Sequence, residues 1–344
     1  MFRELVAAAV AGATALYLAG ARWADGNDRW RLVSRQPSLA HGEVLATGPH
    51  NAWAFGWEPA SLRARLPLAD GPHRPTAFHW DGAGWAEHDL PVGDGQVSAA
   101  AASSPADVWV TFGDEEGREV SVLRWDGRGW TTVRRLPGDA GRIAALAADD
   151  VWVFGDRRAW HFDGAAWAER SVPFHAFRVA ARSPAEVWAV DGAAVHRFDG
   201  GRWSRIDLSD VLPKTPSDGS PSDGPRLTGV SADTSGVWVT GEIGVSSFLV
   251  FDTGSGWRFE DISAKAGRLL RDAAPVPDGR GGHWFLGSTD VNGDDSALAH
   301  RDPVGRWTRT PSGGHLSSLA APAGGPVLAT GTVGPASGVF RDLP

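Results

Sequence analysis

Residues 150–167, DVWVFGDRRAWHFDGAAW, contain two phrases that recur along the chain, one centred on Trp152 and one ending at Trp167. Five further units contain the same pair of phrases, and a run of small apolar residues precedes most of them. The first-phrase tryptophans are Trp53, Trp109, Trp152, Trp188, Trp238 and Trp284, and the second-phrase tryptophans are Trp85, Trp130, Trp167, Trp203, Trp257 and Trp307. Self-similarity at this period indicates a repeat architecture.

Each unit contains four short apolar runs rich in Val, Trp, Phe and Thr, a composition typical of β-strands. Asp-Gly separates the third run from the fourth, and this dipeptide favours a tight hairpin because glycine tolerates positive φ. No helical periodicity of useful length occurs after residue 21. Repeats of four strands predict an all-β protein with the β-propeller fold.

The number of repeats indicates how the ring closes. Six units contain both tryptophan phrases, and a seventh, which begins after Gly314, has three strands and lacks the fourth. Residues 29–33, RWRLV, resemble the fourth strand of the other units. We therefore expect seven four-stranded antiparallel blades, in which this N-terminal strand pairs beside residues 339–341 and completes the last blade.

The D-V-W-x-x-G and W-D-G-x-x-W units resemble bacterial β-propeller repeats grouped with Asp-box, kelch and galactose-oxidase-like propellers. Residues 251–257, FDTGSGW, fit the D-x-G-x-x-W core of an Asp box, which the other units shorten or shift. The resemblance covers nearly all of the chain after residue 28. It implies the fold and leaves the function open, because propellers host many unrelated activities.

Composition excludes several functions. The chain has 33 Lys and Arg against 41 Asp and Glu, a net charge of −8, which argues against a nucleic-acid partner. It has no cysteine, which excludes disulfides and thiolate sites. Sialidase-type and galactose-oxidase-type propellers use tyrosines in their chemistry, and the one tyrosine here is Tyr17, within the N-terminal leader. We expect neither chemistry.

Residues 1–21 have the pattern of a signal peptide. An apolar run from Leu5 to about Leu18 follows Arg3, and Ala19-Gly20-Ala21 fits a small-residue cleavage site. An uncleaved anchor over residues 5–21, at the short edge of a membrane span, is the alternative, and a cytoplasmic amphipathic extension is a third reading. We predict a secreted or extracytoplasmic protein in which residues 22–344 form the propeller.

Most recurring residues have a structural explanation. The tryptophans are expected to wedge between blades, and the turn aspartates to accept backbone N–H bonds. Three histidines resemble metal ligands: His79, His161 and His300. At the equivalent position of the other units the sequence has Arg124, Arg197 and Val250. We therefore expect this position of the repeat to have a structural role, and we expect no metal and no cofactor.

Functional residues are sought among those that the repeat does not explain. Loops between second and third strands share the channel face of a propeller. This face is expected to contain the candidate ligand-binding residues Trp57, His73, Arg74, Glu116, Asp156 and Arg158. Trp57 could stack on a sugar or an aromatic ligand. Residues 114–119 form an acidic cluster, and its simplest interpretation is a solvated turn. Asp290, Asn292 and Asp294 place oxygens at the spacing that starts a calcium loop, without its closing glutamate.

These residues favour a monomeric, exported, non-enzymatic binding module whose ligand is a cell-envelope glycan or protein. No catalytic residues are assigned. The alternative is a glycan hydrolase or lyase that uses channel-face carboxylates, and a third hypothesis is a purely structural surface domain. Two carboxylates about 5–10 Å apart across a cleft would favour the hydrolase.

Overall fold

The computed structural model describes residues 30–35, 42–59, 73–215, 224–270, 274–288, 295–333 and 336–342. These residues form 29 strands and one helical turn, arranged as seven antiparallel sheets. The predicted all-β, seven-bladed propeller is therefore confirmed. No helix within the described ranges is long and apolar enough to cross a bilayer.

The blades follow one another in chain order, and each starts with its innermost strand. Blade 1 contains β2 (Glu43–Gly48), β3 (Asn51–Pro59), β4 (His73–Trp80) and β5 (Trp85–His88). Blade 2 contains β6 (Gly95–Ser104), β7 (Asp107–Asp114), β8 (Glu119–Trp125) and β9 (Trp130–Pro137). Blade 3 contains β10 (Arg142–Ala147), β11 (Asp150–Phe154), β12 (Asp156–Phe162) and β13 (Trp167–His175). Blade 4 contains β14 (Arg178–Ser183), β15 (Glu186–Val190), β16 (Val195–Phe198) and β17 (Trp203–Ile206).

The remaining blades are less regular. Blade 5 contains β18 (Arg226–Asp233), β19 (Gly236–Ile243), β20 (Ser246–Asp252) and β21 (Arg258–Asp261), and the turn α1 (Ser263–Ala266) follows it. Blade 6 divides its inner strand into β22 (Arg268–Leu269) and β23 (Val276–Pro277), followed by β24 (His283–Ser288), β25 (Ser296–Arg301) and β26 (Trp307–Pro311). Blade 7 contains β27 (Gly314–Ala320), β28 (Leu328–Val333), β29 (Ala336–Asp342) and the N-terminal β1 (Trp30–Arg35).

The N-terminal strand closes the ring as predicted. β1 pairs antiparallel with β29, with Leu32 opposite Phe340 and Ser34 opposite Val339. The last blade therefore has four strands, and its edge is covered by the start of the chain.

The Asp-Gly hairpins have the expected local structure. Asp163 Oδ1 accepts the N–H groups of Ala165 at 3.0 Å and Ala166 at 2.8 Å. These bonds hold the pKa of Asp163 below its usual value. Gly164 has φ of 89°, which a residue with a side chain rarely adopts. The same carboxylate caps recur at Asp81, Asp126, Asp199, Asp252 and Asp302.

The first-phrase tryptophans pack between blades. Trp109 of blade 2 is 1% exposed, and its ring lies 5.8 Å from Phe162 and 6.3 Å from Trp167 of blade 3. Each of these tryptophans belongs to an apolar cluster shared with the next blade. The wedge between two blades therefore consists of a buried indole packed among aliphatic and aromatic side chains. We name these residues, Trp53, Trp109, Trp152, Trp188, Trp238 and Trp284, the wedge tryptophans.

The histidines considered as metal ligands stack on the wedge tryptophans. His161 stacks on Trp152 at 4.2 Å, and its Nε2 lies 2.9 Å from Asp150 Oδ1. His300 repeats this arrangement with Trp284 and Asp278. His79 stacks on Trp53 in the same way, and its partner is the amide of Asn51. Within the described ranges no group of three or more His, Asp or Glu side chains is placed to hold a metal. One assignment of this repeat position was wrong: in blade 5 the residue opposite Trp238 is Phe251, not Val250, because the register there is shifted by one residue.

Candidate functional site

The central channel holds a cavity of about 490 Å³. Its walls are the inner strands, whose small residues such as Ser98, Ala99 and Ser318 leave room where the strands converge. The charged side chains among the described lining residues are Glu43, Arg142 and Arg178. The channel therefore offers one carboxylate and two guanidinium groups to a ligand.

Both arginines begin the inner strand of their blade, and both bind the same carbonyl group. Arg142 Nε donates to the carbonyl oxygen of Phe177 at 2.7 Å, and the Arg178 guanidinium donates to it at 3.0 Å. The Phe177 ring also lies near two cations, since the guanidinium carbons of Arg178 and Arg226 are each 5.3 Å from its centroid. Phe177 thus contacts arginines from three consecutive blades at one side of the channel mouth. We name Arg142, Arg178 and Arg226 the arginine cluster.

Two features limit the mobility of this cluster. Arg226 lies 3.8 Å from Glu242 Oε1, and its side chain remains 44% exposed. Arg142 and Arg178 are only partly exposed and are oriented by the Phe177 carbonyl. Guanidinium groups held in place in this way bind carboxylate or sulfate oxygens at a small entropic cost.

Glu43 lies in the wall of blade 1, within electrostatic range of Arg142 and Arg178. Burial of its carboxyl group raises the pKa to about 7, although a backbone hydrogen bond from Ala100 and the two arginines act in the opposite direction. The charge of the channel therefore changes near neutral pH. Below pH 7 the Glu43 carboxyl is protonated, so no charged carboxylate remains among the described residues that line the cavity.

The raised pKa predicts a pH dependence of stability. The folded protein keeps a proton on Glu43 that the unfolded chain releases above about pH 4.5, so the free energy of unfolding should fall as pH rises from 4.5 to about 7. At about 1.4 kcal/mol per unit the shift is worth about 3 kcal/mol, and water in the channel reduces this to about 1–2 kcal/mol.

Denaturant melts of wild type and Glu43→Gln across pH 4–8 measure this effect. The variant should lack this loss, so the difference between the two proteins should grow up to pH 7 and then level off. Parallel curves would contradict a raised pKa at this position.

The acidic cluster at 114–119 forms the turn between β7 and β8 of blade 2. Asp114 Oδ1 accepts the N–H groups of Arg118 at 2.8 Å and Glu119 at 3.2 Å, so its carboxylate closes the turn. Glu116 is exposed and binds the Arg118 side chain. These contacts fit the interpretation of this loop as a solvated turn.

Asp156 and Arg158 lie at the matching place in blade 3. The backbone N–H of Asp156 donates to Asp139 Oδ2 at 2.8 Å, and the Arg158 guanidinium lies 3.1 Å from Asp139 Oδ1. The Asp156 carboxylate itself is 60% exposed, 3.3 Å from His175 Nδ1. The structure thus joins Asp156 and Arg158 through Asp139, whereas Glu116 is bound within its own turn.

Other candidates are described in part or not at all. Trp57 pairs through its backbone with Pro75, and His73 and Arg74 pair with residues 59 and 58, which places all three where β3 and β4 leave the blade. Their side chains lie outside the described part of the structure. The leader at 1–21 and the possible calcium ligands Asp290, Asn292 and Asp294 also lie outside it.

Sequence analysis missed the arginine cluster and Glu43. A signal was present, since three consecutive small-residue runs start with arginine: RIAALAA at 142, RVAARS at 178 and RLTGVSA at 226. The arginine at the start of each run was overlooked because these runs were treated only as scaffold.

No protein-family model and no curated relative matches the chain. Solved structures share its fold. YCF48 from Cyanidioschyzon merolae aligns over 92% of this chain and 98% of its own, with a TM-score of 0.58 and 16% identity. The β-propeller domain of the Trilobed protease from Pyrococcus furiosus aligns over 88% and 93%, with a TM-score of 0.57 and 9% identity. The SapL1 lectin, solved with α-methyl fucoside, aligns over 80% and 98%, with a TM-score of 0.50 and 14% identity. At these identities the comparisons establish that the chain shares the β-propeller fold.

Proposed function

We propose that this protein is an exported, monomeric, non-catalytic propeller that binds an acidic glycan of the cell envelope at its channel mouth. The observation that carries the proposal is the arginine cluster, which Phe177 gathers beside a cavity of about 490 Å³. The pattern of residues 1–21 supports export. We also propose that the domain extends over residues 22–344 and that its repeats are related to those of Asp-box and kelch propellers.

The shape and charge of the site favour a small acidic ligand group. A volume of about 490 Å³ lies within the usual range of small-molecule sites, whereas protein partners generally dock on flatter surfaces. One or two sugar units fit such a space. A carboxylate or sulfate on the sugar would accept charge-assisted bonds from Arg142 and Arg178. A solved lectin with the same fold makes sugar binding by such a scaffold physically reasonable.

The charges of the channel argue against a glycan hydrolase, which needs two carboxyl groups on either side of the scissile bond. Among the described lining residues Glu43 is the one carboxylate. Asp114 is used to close its turn, and Glu116 and Asp156 are exposed and bound to neighbours in their own blades.

One observation keeps the enzymatic alternative open to test. The pKa of Glu43, near 7, is suitable for a general acid or base. A broad screen for glycosidase and polysaccharide-lyase turnover should show none with the wild-type protein. Turnover that disappears in Glu43→Gln, Glu116→Gln or Asp156→Asn would overturn the binding-module proposal and support catalysis.

The binding proposal predicts a loss of affinity when the arginine cluster is reduced. On an array of neutral, uronate-bearing and sulfated glycans, the protein should retain acidic members, and Arg178→Ala should weaken their binding at least about 10-fold, as expected for a lost charge-assisted bond. Arg182→Ala is the matched control, because Arg182 lies near the other end of β14 and binds Glu186. Retention of neutral glycans alone, or equal losses in both variants, would contradict the proposal.

A further inference from the structure

Among the described residues, six of the seven seams between blades hold a wedge tryptophan, and one does not. Between blades 2 and 3, Trp109 fills the seam and packs against Phe162 at 5.8 Å and Trp167 at 6.3 Å. Arg124 pairs opposite Trp109 on the neighbouring strand, and its guanidinium carbon lies 4.8 Å from the indole centroid. This filled seam thus contains one indole, one cation beside it and two aromatic rings from the next blade.

The seam between blades 7 and 1 lacks the indole. β28 begins with Leu328, which pairs opposite Arg341 on β29 just as Trp109 pairs opposite Arg124. Leu328 therefore occupies the position of a wedge tryptophan. Trp80 and Trp85 of blade 1 are the two rings that face this position, and both pack beside Leu328. The cation and the two rings are present, and a smaller side chain replaces the indole between them.

A cavity of about 410 Å³ lies at this seam. Its walls include Leu328, Arg341, Trp80, Trp85 and His50, together with prolines of the adjoining turns. The centroids of the two tryptophan rings are 6.0 Å apart, with 40° between their planes. The smaller Leu328 side chain leaves room for a ring at this position, and the cavity opens there.

We propose that this seam cavity binds an aromatic side chain, indole above all, presented by a partner protein. The seam between blades 2 and 3 shows the fit, because it holds an indole among the same kinds of groups, an arginine and two aromatic rings. An arginine and two tryptophans provide cation–π and edge-to-face contacts to such a ring. Apart from the indole N–H groups, the polar side chains among the described lining residues are His50 and Arg341. A sugar ring needs more hydrogen-bond partners than these, so an aromatic ring is the better occupant.

The experiment uses a capped Gly-Gly-Trp-Gly-Gly peptide as the probe and Gly-Gly-Leu-Gly-Gly as its control, with binding to the full chain followed by ligand-observed NMR. The tryptophan peptide should bind and the leucine peptide should not. Leu328→Trp places an indole in the cavity, so it should weaken binding at least about 10-fold while raising the melting temperature. That rise would show that the new indole is seated in the seam.

A second variant keeps the test valid if Leu328→Trp does not fold. Arg341→Ala removes the cation and should weaken binding by about 2- to 30-fold, the range of a cation–π contact, while Arg128→Ala in an exposed turn should have no effect. The proposal would be overturned if the tryptophan peptide does not bind, or if wild type binds it no better than Leu328→Trp or Arg341→Ala. Displacement of the peptide by methyl glycosides would also overturn it. A fourth contrary result is binding that appears only in a Trp23→Ala variant, because the cavity would then belong to Trp23 of the chain itself.

Discussion

A chain that begins at residue 36 should aggregate or remain unfolded, whereas a chain that begins at residue 22 should give a soluble propeller. β1 pairs with β29 from Trp30 opposite Asp342 to Arg35 opposite Gly338, so its removal leaves one complete strand edge unpaired. Removal also uncovers Val339, which is 0% exposed and packs with Val33 and Trp85 at the junction of blades 7 and 1. The expected loss is comparable to the whole stability of a domain, about 5–15 kcal/mol.

Gel filtration and thermal melts of the two truncated chains measure this effect. A synthetic peptide of residues 22–36 added during refolding should recover part of the soluble, cooperatively melting protein, because the strand is joined to its blade by pairing and not by chain continuity. A chain starting at residue 36 that is monomeric and melts like the longer one would show that closure by β1 is dispensable.

The fold was predictable because the sequence motifs that specify each blade repeat along the chain. The tryptophans repeat with the spacing of the blades, and Asp-Gly turns mark the third hairpin of the first four units. The N-terminal strand could be assigned because residues 29–33 match the pattern that the seventh unit lacks. Local sequence sufficed there, since strand pairing in a blade follows chain order in six of the seven sheets.

The sites depend on positions that the repeat does not mark. Arg142 and Arg178 converge only because the carbonyl of Phe177 lies between their two blades. The pKa of Glu43 depends on its burial in the channel wall, which neighbouring residues in sequence do not show. The seam cavity lies where Leu328 stands at the position of a wedge tryptophan. The sequence PVLATG shows this difference, but only the structure shows which residues of the next blade surround Leu328.

Trp152→Ala should destabilise the protein by about 3–5 kcal/mol, as expected for the loss of a large buried side chain. Trp152 is 1% exposed and joins two blades, with its ring centroid 4.2 Å from His161 and 5.2 Å from Phe198 of blade 4. A smaller side chain would leave a void that neighbouring strands, fixed by their ladders, cannot close. Phe259→Ala is the control, because Phe259 is 42% exposed and its loss should cost less than about 1 kcal/mol.

A comparison of Trp152 with Trp109 distinguishes the contribution of packing to stability from that of hydrogen bonding. The Trp152 Nε1 group is buried with no hydrogen-bond partner, whereas Trp109 Nε1 donates to Asp107 Oδ2 at 2.9 Å. Trp109→Phe therefore breaks a bond to a buried carboxylate and should cost about 1–3 kcal/mol more than Trp152→Phe, which relieves an unsatisfied donor. Urea melts of the variants decide the matter. Equal losses for Trp152→Ala and Phe259→Ala would contradict the wedge role, and a smaller loss for Trp109→Phe than for Trp152→Phe would show that the Asp107 bond contributes no net stability.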